Sequence, residues 1–221
     1  MKISENTINL LKNFSTINPS ILVRAGNVIS TVAINRSIHA SATVEEEFPS
    51  QFAIYELPKF LGVLSLFNEP DITFGEHQLT IVSGNQSVNY TYADVSTIVA
   101  PPQDKKIKVE PADIEFSISQ SEFQKLLRAA GVLQLPNIAV VGDGSTIKVC
   151  AANSKNPTAD TFSVEVGTTD KVFNMVFRVD FLIKLLPSSY DVKINSKGIS
   201  SFNGSNVEYF ITTEADSKFN S

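Results

Sequence analysis

Short apolar and β-branched runs, many alternating with polar positions, are punctuated along this chain by Gly26-Asn27, Gly75-Glu76, Ser83-Gly84-Asn85, Asp143-Gly144, Lys197-Gly198 and Asn203-Gly204. Asp-Gly and Asn-Gly suit two-residue hairpins, because type I′ turns need positive φ at both central residues. The pattern predicts mainly antiparallel sheet. In four windows the apolar period lengthens to that of a helix, over 5–14, 58–67, 120–130 and 180–186. In the third, Ser119 followed three positions later by Glu122 is a capping box, and Gly131 stands where a C-cap is expected. Pro58 suits the first turn of the second, where its missing N–H is no loss. On a wheel of about 100° per residue, Ile8, Leu10, Leu11 and Phe14 share one side of the first helix, and Asn9, Lys12 and Asn13 the other. In the third, Phe123, Leu126, Leu127 and Ala130 face inward and Ser121, Gln124, Lys125 and Arg128 outward. Lys59 lies opposite Leu57, Phe60, Leu61 and Leu64, and Lys184 stands apart from Leu182, Leu185 and Leu186.

The pattern occurs twice. Ile3-Ser4-Glu5 through Leu10-Leu11-Lys12 lines up with Ile118-Ser119-Gln120 through Leu126-Leu127-Arg128, with one residue of slack. Pro19-Ser20-Ile21-Leu22-Val23 parallels Pro136-Asn137-Ile138-Ala139-Val140, and Lys59-Phe60-Leu61 parallels Asp180-Phe181-Leu182. Asp71-Ile72-Thr73-Phe74 matches Asp191-Val192-Lys193-Ile194, and each half closes on an aromatic strand, Tyr90-Thr91-Tyr92 or Tyr209-Phe210-Ile211. Blocks repeated in one order imply two copies of one domain. The reading is 1–97 for the first copy, 98–111 for a connector marked by Pro101-Pro102 and Pro111, and 112–221 for the second. Lys105, Lys106 and Lys108 in the connector admit two readings, a nucleic-acid patch or, with Asp104 and Glu110 beside them, a solvated linker.

Charge sharpens this picture. The 221 residues carry a formal net charge of -5, which argues against a protein that simply coats nucleic acid. Yet the helical windows gather Lys12, Lys59, Lys125, Arg128, Arg178 and Lys184 against only Glu5, Glu122 and Asp180, a net +3 that leaves -8 elsewhere. Lys and Arg populate exposed helical faces simply as good helix formers. Their coordination on all four helices favours contact with phosphates, which gives salt-dependent affinity without sequence information. No aromatic interleaves with these cations, so duplex is favoured over single strands.

Chemistry beyond binding is sparse. Gly142-Asp143-Gly144-Ser145-Thr146 lacks the Gly-Lys-Ser/Thr ending of a phosphate loop and reads as a hairpin turn. His39 and His77 have no ligand-spaced partners, Glu45-Glu46-Glu47 reads as a solvated strand end, and Cys150 as a small core residue. No metal, cofactor or enzymatic activity is expected. One cysteine cannot form an internal disulfide, no early stretch is ordered like a signal peptide, and no window has the apolar length of a membrane span. A reducing, cytoplasmic setting follows as an expectation.

Leu10-Leu11-Lys12-Asn13-Phe14-Ser15-Thr16-Ile17-Asn18, Ala53-Ile54-Tyr55-Glu56-Leu57, Phe60-Leu61-Gly62-Val63-Leu64-Ser65-Leu66, Ser96-Thr97-Ile98-Val99-Ala100-Pro101 and Leu126-Leu127-Arg128 resemble blocks of the sliding clamps, the DNA polymerase processivity factors, of T-even-type bacteriophages. The resemblance runs nearly end to end. It implies an α+β fold of two similar clamp-type domains, each an antiparallel sheet with two helices, assembled as a homotrimeric ring around duplex DNA. Carried over by position, Lys12, Lys59, Lys125, Arg128, Arg178 and Lys184 would line the hole. A hydrophobic tail of the DNA polymerase would enter a pocket involving Ile34, His39, Ile98, Val99, Pro101, Ala215 and Asp216. Tyr90 would lie at the subunit interface or be buried within its own domain. An ATP-dependent clamp loader, late-transcription factors and the cytoplasm of an infected bacterium complete what the resemblance implies. The competing class is a duplicated β-rich viral structural protein whose positive helices only solubilise it.

Overall fold

The computed structural model describes residues 1–103 and 107–220. Asp104, Lys105 and Lys106 lie outside the described residues, so the patch reading of the connector lysines is not addressed there. The chain divides into two compact units, Met1–Lys105 and Lys106–Ser221.

In the first unit, α1 (Glu5–Ile17) is followed by β1 (Ile21–Val23), β2 (Gly26–Val32), β3 (Ile38–Phe48), β4 (Phe52–Ile54), α2 (Leu57–Leu64), β5 (Asp71–Phe74), β6 (Gln78–Ser83) and β7 (Gln86–Thr91). The second unit runs β8 (Ile114–Ile118), α3 (Gln120–Val132), β9 (Asn137–Asp143), β10 (Thr146–Ala152), β11 (Phe162–Thr168), β12 (Val172–Arg178), α4 (Val179–Leu182), β13 (Tyr190–Ile194), β14 (Ile199–Asn203), β15 (Val207–Thr212) and β16 (Lys218–Asn220). In the first, β1 pairs with β4, β2 with β3, and β5, β6 and β7 form a meander, all antiparallel. In the second, β11-β10-β9-β12-β16 is one antiparallel series and β15-β14-β13-β8 another.

The internal repeat is real at the level of single hydrogen bonds. The Leu57 amide at the start of α2 donates to the Pro19 carbonyl at 2.7 Å, and the Val179 amide at the start of α4 donates to the Pro136 carbonyl at 3.0 Å. β1 meets β4 as Ile21 opposite Ile54, and β9 meets β12 as Ile138 opposite Phe177. Met1 and Ile72 exchange main-chain bonds of 2.8 Å in each direction, as β8 pairs with β13 in the second unit. Each long helix begins on a serine whose hydroxyl accepts the N3 amide: Ser4 from Thr7, and Ser119 from Glu122. Each unit closes its own core: Leu10, Phe14, Ile29, Ile54, Leu57 and Leu79 are buried in the first, and Phe123, Leu126, Phe177, Tyr190, Phe202 and Tyr209 in the second.

Five of the six turn signals close hairpins, with Gly84, Gly144 and Gly198 at positive φ. Gly26 does not, because β1 pairs with β4 instead of β2; it opens β2 at φ 109 beside a register shift opposite Phe48. The fourth helix, expected over 180–186, is a single turn. Past Leu182 the chain tightens to bonds from Lys184 to Phe181 and from Leu185 to Leu182, and Pro187 then excludes helix from the residue before it. Gly131 is inside α3, not its cap. The reversal is made by Gln134 at φ 53, whose amide donates to Gly131, while the Leu135 amide donates to Ala130, a Schellman closure with glutamine where glycine is usual.

Two inward faces also differ from the wheel. The buried position in the first turn of α1 is Thr7, with Ile8 only half-buried, and Leu127 is half-buried in α3. Thr7 goes inward because a carboxylate waits for it. Glu46 is 7% exposed and accepts from the Ser4 amide and, at 2.5 Å, from the Thr7 hydroxyl. The solvated reading of Glu45-Glu46-Glu47 therefore fails at its centre. β3 buries Ile38, Ala40, Ala42, Val44 and Phe48 in strict alternation, and Glu46 shares their parity.

Candidate DNA and partner interfaces

The basic residues separate into free and engaged groups. Lys12 on α1 and Lys125 and Arg128 on α3 are exposed, and none has an ion pair among the described residues, though the Lys125 charge helps the Ser119 bonds hold the Glu122 carboxyl below the ordinary range. Counting inward faces, Leu10-Leu11-Lys12 aligns with Leu126-Leu127-Arg128, so each long helix presents a cation directly after a Leu-Leu pair whose first leucine is buried. Lys59 on α2 is exposed but reaches Glu56 at 3.3 Å. Arg178 caps α4, pairs with Asp180 at 2.9 Å and lies over the Phe181 ring, 5.2 Å from its centroid. Lys184 is half-buried and lies past the end of α4. The statement that every helix presents a cation is thereby corrected: α4 itself contains none, and the helices proper hold Lys12, Lys59, Lys125 and Arg128 against Glu5, Glu122 and Asp180.

The tail-pocket residues fall in both units. Ile34 is exposed, in the turn between β2 and β3 where the Arg36 amide donates to the Ala33 carbonyl. His39 follows on β3, opposite Val32, with its pKa lowered by burial. Ile98 is buried against Leu22 and Ala53, Val99 is exposed, and Pro101 is buried. Asn18 ties these pieces together. Its side-chain amide, 1% exposed, donates to the Val32 carbonyl at 2.9 Å and the Val99 carbonyl at 3.1 Å, while its oxygen accepts from the Ser20 amide and hydroxyl. Arg24 adds a bond of 2.7 Å from its guanidinium to the Pro101 carbonyl. Residues 98–101 are thus fastened to the β2–β3 hairpin beside His39. Ala215 and Asp216 belong to the second unit, exposed in the turn before β16. Tyr90 is half-buried on β7 with its ring edge-on to Phe60 at 5.2 Å.

Asn18, Arg24 and Glu46 escaped the sequence reading. Glu46 was visible in the parity of β3, but nothing local distinguishes Asn18 or Arg24, whose partners lie about eighty residues away.

The remaining chemistry is structural. Asp143 accepts from the amides of Ser145 and Thr146 in the β9–β10 hairpin, and those bonds hold its carboxyl below the ordinary range. Burial pushes the Cys150 thiol up, away from a nucleophilic thiolate. Among the described residues no group of three or more His, Cys, Asp or Glu side chains could hold a metal ion, and no helix is long and apolar enough to cross a membrane.

Duplicated units of two helices backed by antiparallel strands define a clamp-type fold. It is shared with the solved structure of A. fulgidus PCNA bound to the C-terminal region of FEN-1, at TM-score 0.71 and 12% identity, covering 99% of this chain and 100% of that one. The DNA polymerase III subunit beta of Pseudomonas aeruginosa matches at TM-score 0.69 and 11% identity, covering 98% of this chain and 64% of that longer one. Residues 3–100 match the family described as DNA polymerase processivity factor, and residues 115–215 that described as gp45 sliding clamp, C terminal. The sliding clamp of Enterobacteria phage T4 is 33% identical over 227 residues, 98% of each chain. That of Vibrio phage KVP40 is 32% identical over 222 residues, 97% of this chain and all of the other. The chain belongs to the sliding clamps, the family of DNA polymerase processivity factors.

Proposed function

We propose that three copies of this chain close into a ring around duplex DNA and hold the replicative polymerase on its template. The observation that carries the reading is the matched, exposed cation after the Leu-Leu pair of each long helix, Lys12 and Arg128, neither in an ion pair among the described residues. Lys125 joins them to give a sequence-blind phosphate contact that slides instead of locking. Lys59 and Arg178 border this lining with part of their charge already engaged, and Lys184 borders it from beyond the end of α4. Ring closure is supported by two unlike edges, β7 at the end of its meander and β11 at the end of its series. Such edges invite strand pairing with another chain, and pairing of different patches head to tail closes into a ring when the rotation allows. Tyr90 on β7 would then border the junction.

The polymerase tail enters beside Ile34, His39, Val99 and the 98–101 segment of the first unit, with 98–111 acting as connector. The clamp acts without catalysis of its own, is opened by an ATP-driven loader, and works in the cytoplasm of the infected bacterium, with late-transcription factors among its partners. Light scattering across a dilution series tests the assembly. A species near three times 24.1 kDa is expected, whereas a strict monomer at high concentration would sink the ring and favour the structural-protein reading.

A further inference from the structure

The two units differ most where their repeat should make them alike. In the second, the space between the start of α3, the end of α4 and β13 is filled by Phe123 and Tyr190, whose rings lie 5.5 Å apart and which are both buried. The Tyr190 hydroxyl closes the site by donating to the Leu186 carbonyl. In the first unit the inward-face counterpart of Phe123 is Thr7, and the Asp71–Asp191 correspondence places Pro70 where the other has Tyr190. Two aromatic rings are thus replaced by two small side chains. Pro70 lines a groove of about 970 Å³ floored by Ile3, Ile8, Leu61, Leu64, Phe67 and Ile72, while Thr7 is buried against Glu46 and does not line it.

The charge around that floor selects its occupant. Glu5, Glu45 and Glu47 are exposed on the rim with no ion pair among the described residues. Glu46 is occupied by Ser4 and Thr7, and Lys2 and Glu69 neutralise each other at 3.2 Å, which leaves Lys12 and the Met1 ammonium, itself donating to the Ile72 carbonyl, as lining cations outnumbered by Glu5, Glu45 and Glu47. Such a rim repels phosphate and attracts ammonium and guanidinium groups. We propose that this groove is a second docking site of the clamp, confined to the first unit, which takes a partner-protein segment with large apolar anchors flanked by lysine or arginine. The anchors fill the space beside Pro70 that Tyr190 fills in the other unit, and the flanking cations meet Glu5, Glu45 and Glu47. The site goes beyond the tail pocket at His39 and Val99, and none of its lining residues belongs to that pocket.

The test uses the whole clamp and a fluorescein-labelled synthetic peptide in which two leucines and a phenylalanine are flanked by lysines, read by anisotropy at low salt. Saturable binding is expected, with no binding by the same peptide carrying glutamates in place of the lysines. Glu45→Gln with Glu47→Gln should weaken binding roughly tenfold, and Pro70→Tyr, which refills the groove, should weaken it independently of charge. Both glutamates are exposed, so the charge variant keeps its fold and decides the matter even if Pro70→Tyr does not fold. Equal affinity of the charge variant, equal binding of the acidic peptide, or amide protection outside 1–12, 45–47 and 61–72 would overturn the proposal. The charge variant should retain polymerase processivity, so failure of the groove and failure of the ring are read separately.

Discussion

The Ser4 amide at the start of α1 donates to the carboxylate of Glu46, a residue 42 positions away on β3, while the equivalent Ser119 amide of α3 donates to Glu122 within its own helix at 3.1 Å. The same bond closes both helix ends, but one joins helix to sheet and the other is local. Burial alone would raise the Glu46 pKa, and the donors of Ser4 and Thr7 outweigh it, so the carboxyl is held below the ordinary range. A depressed folded-state pKa adds stability above the unfolded value and loses it as pH falls through the folded one. Glu46→Ala should cost about 1–3 kcal/mol by leaving buried donors without an acceptor, and should flatten the loss of stability below about pH 4. Urea unfolding across that range checks both; a variant with wild-type stability and an unchanged acid limb would refute the anchor.

Gln134 holds the left-handed cap position of α3 at φ 53, where a side chain costs on the order of 1 kcal/mol. Gln134→Gly should therefore raise the unfolding free energy by about 0.5–1 kcal/mol. No gain in the denaturant midpoint would mean that the glutamine is compensated elsewhere.

Asn18 spends both amide hydrogens on Val32 and Val99, so Asn18→Ala should free 98–101 from the β2–β3 hairpin. Hydrogen exchange is expected to speed up over 98–101 and the affinity for a polymerase-tail peptide to fall, with the helices unaffected. Unchanged exchange there would show that Arg24 alone fastens the segment.

Free and paired cations should behave differently on DNA. Lys12→Glu or Arg128→Glu should impair polymerase processivity more than Lys59→Glu or Arg178→Glu, because Glu56 and Asp180 already engage the latter two. Each lost phosphate contact should also lower the salt slope of DNA association by about 1. Equal effects at all four positions would contradict the division drawn from the ion pairs.

The repeat, the helix starts and most hairpins were legible because each rests on local chemistry: the Ser119–Glu122 box, Pro58, and glycine at positive φ. What failed locally had distant causes. Thr7 displaced Ile8 from the inward face because Glu46 lies across from it on β3, and the fourth helix stopped after one turn where Pro187 and the Tyr209 hydroxyl, which accepts from the Leu186 amide, redirect the chain. Cations were legible as residues but not as charges, since the Glu56 and Asp180 pairings depend on how α2 and α4 begin. The His39 and Ile34 neighbourhood was reached by resemblance, whereas Asn18, which joins it to Val99, carries no pattern of its own.

Encirclement is the central claim, and topology tests it most directly. Labelled clamp loaded on a nicked circular plasmid should remain bound through gel filtration and be released when a single restriction cut gives the DNA free ends. Retention on the linear molecule, or equal loss from circle and line, would show that Lys12, Lys125 and Arg128 hold DNA by contact alone and that no closed ring surrounds it.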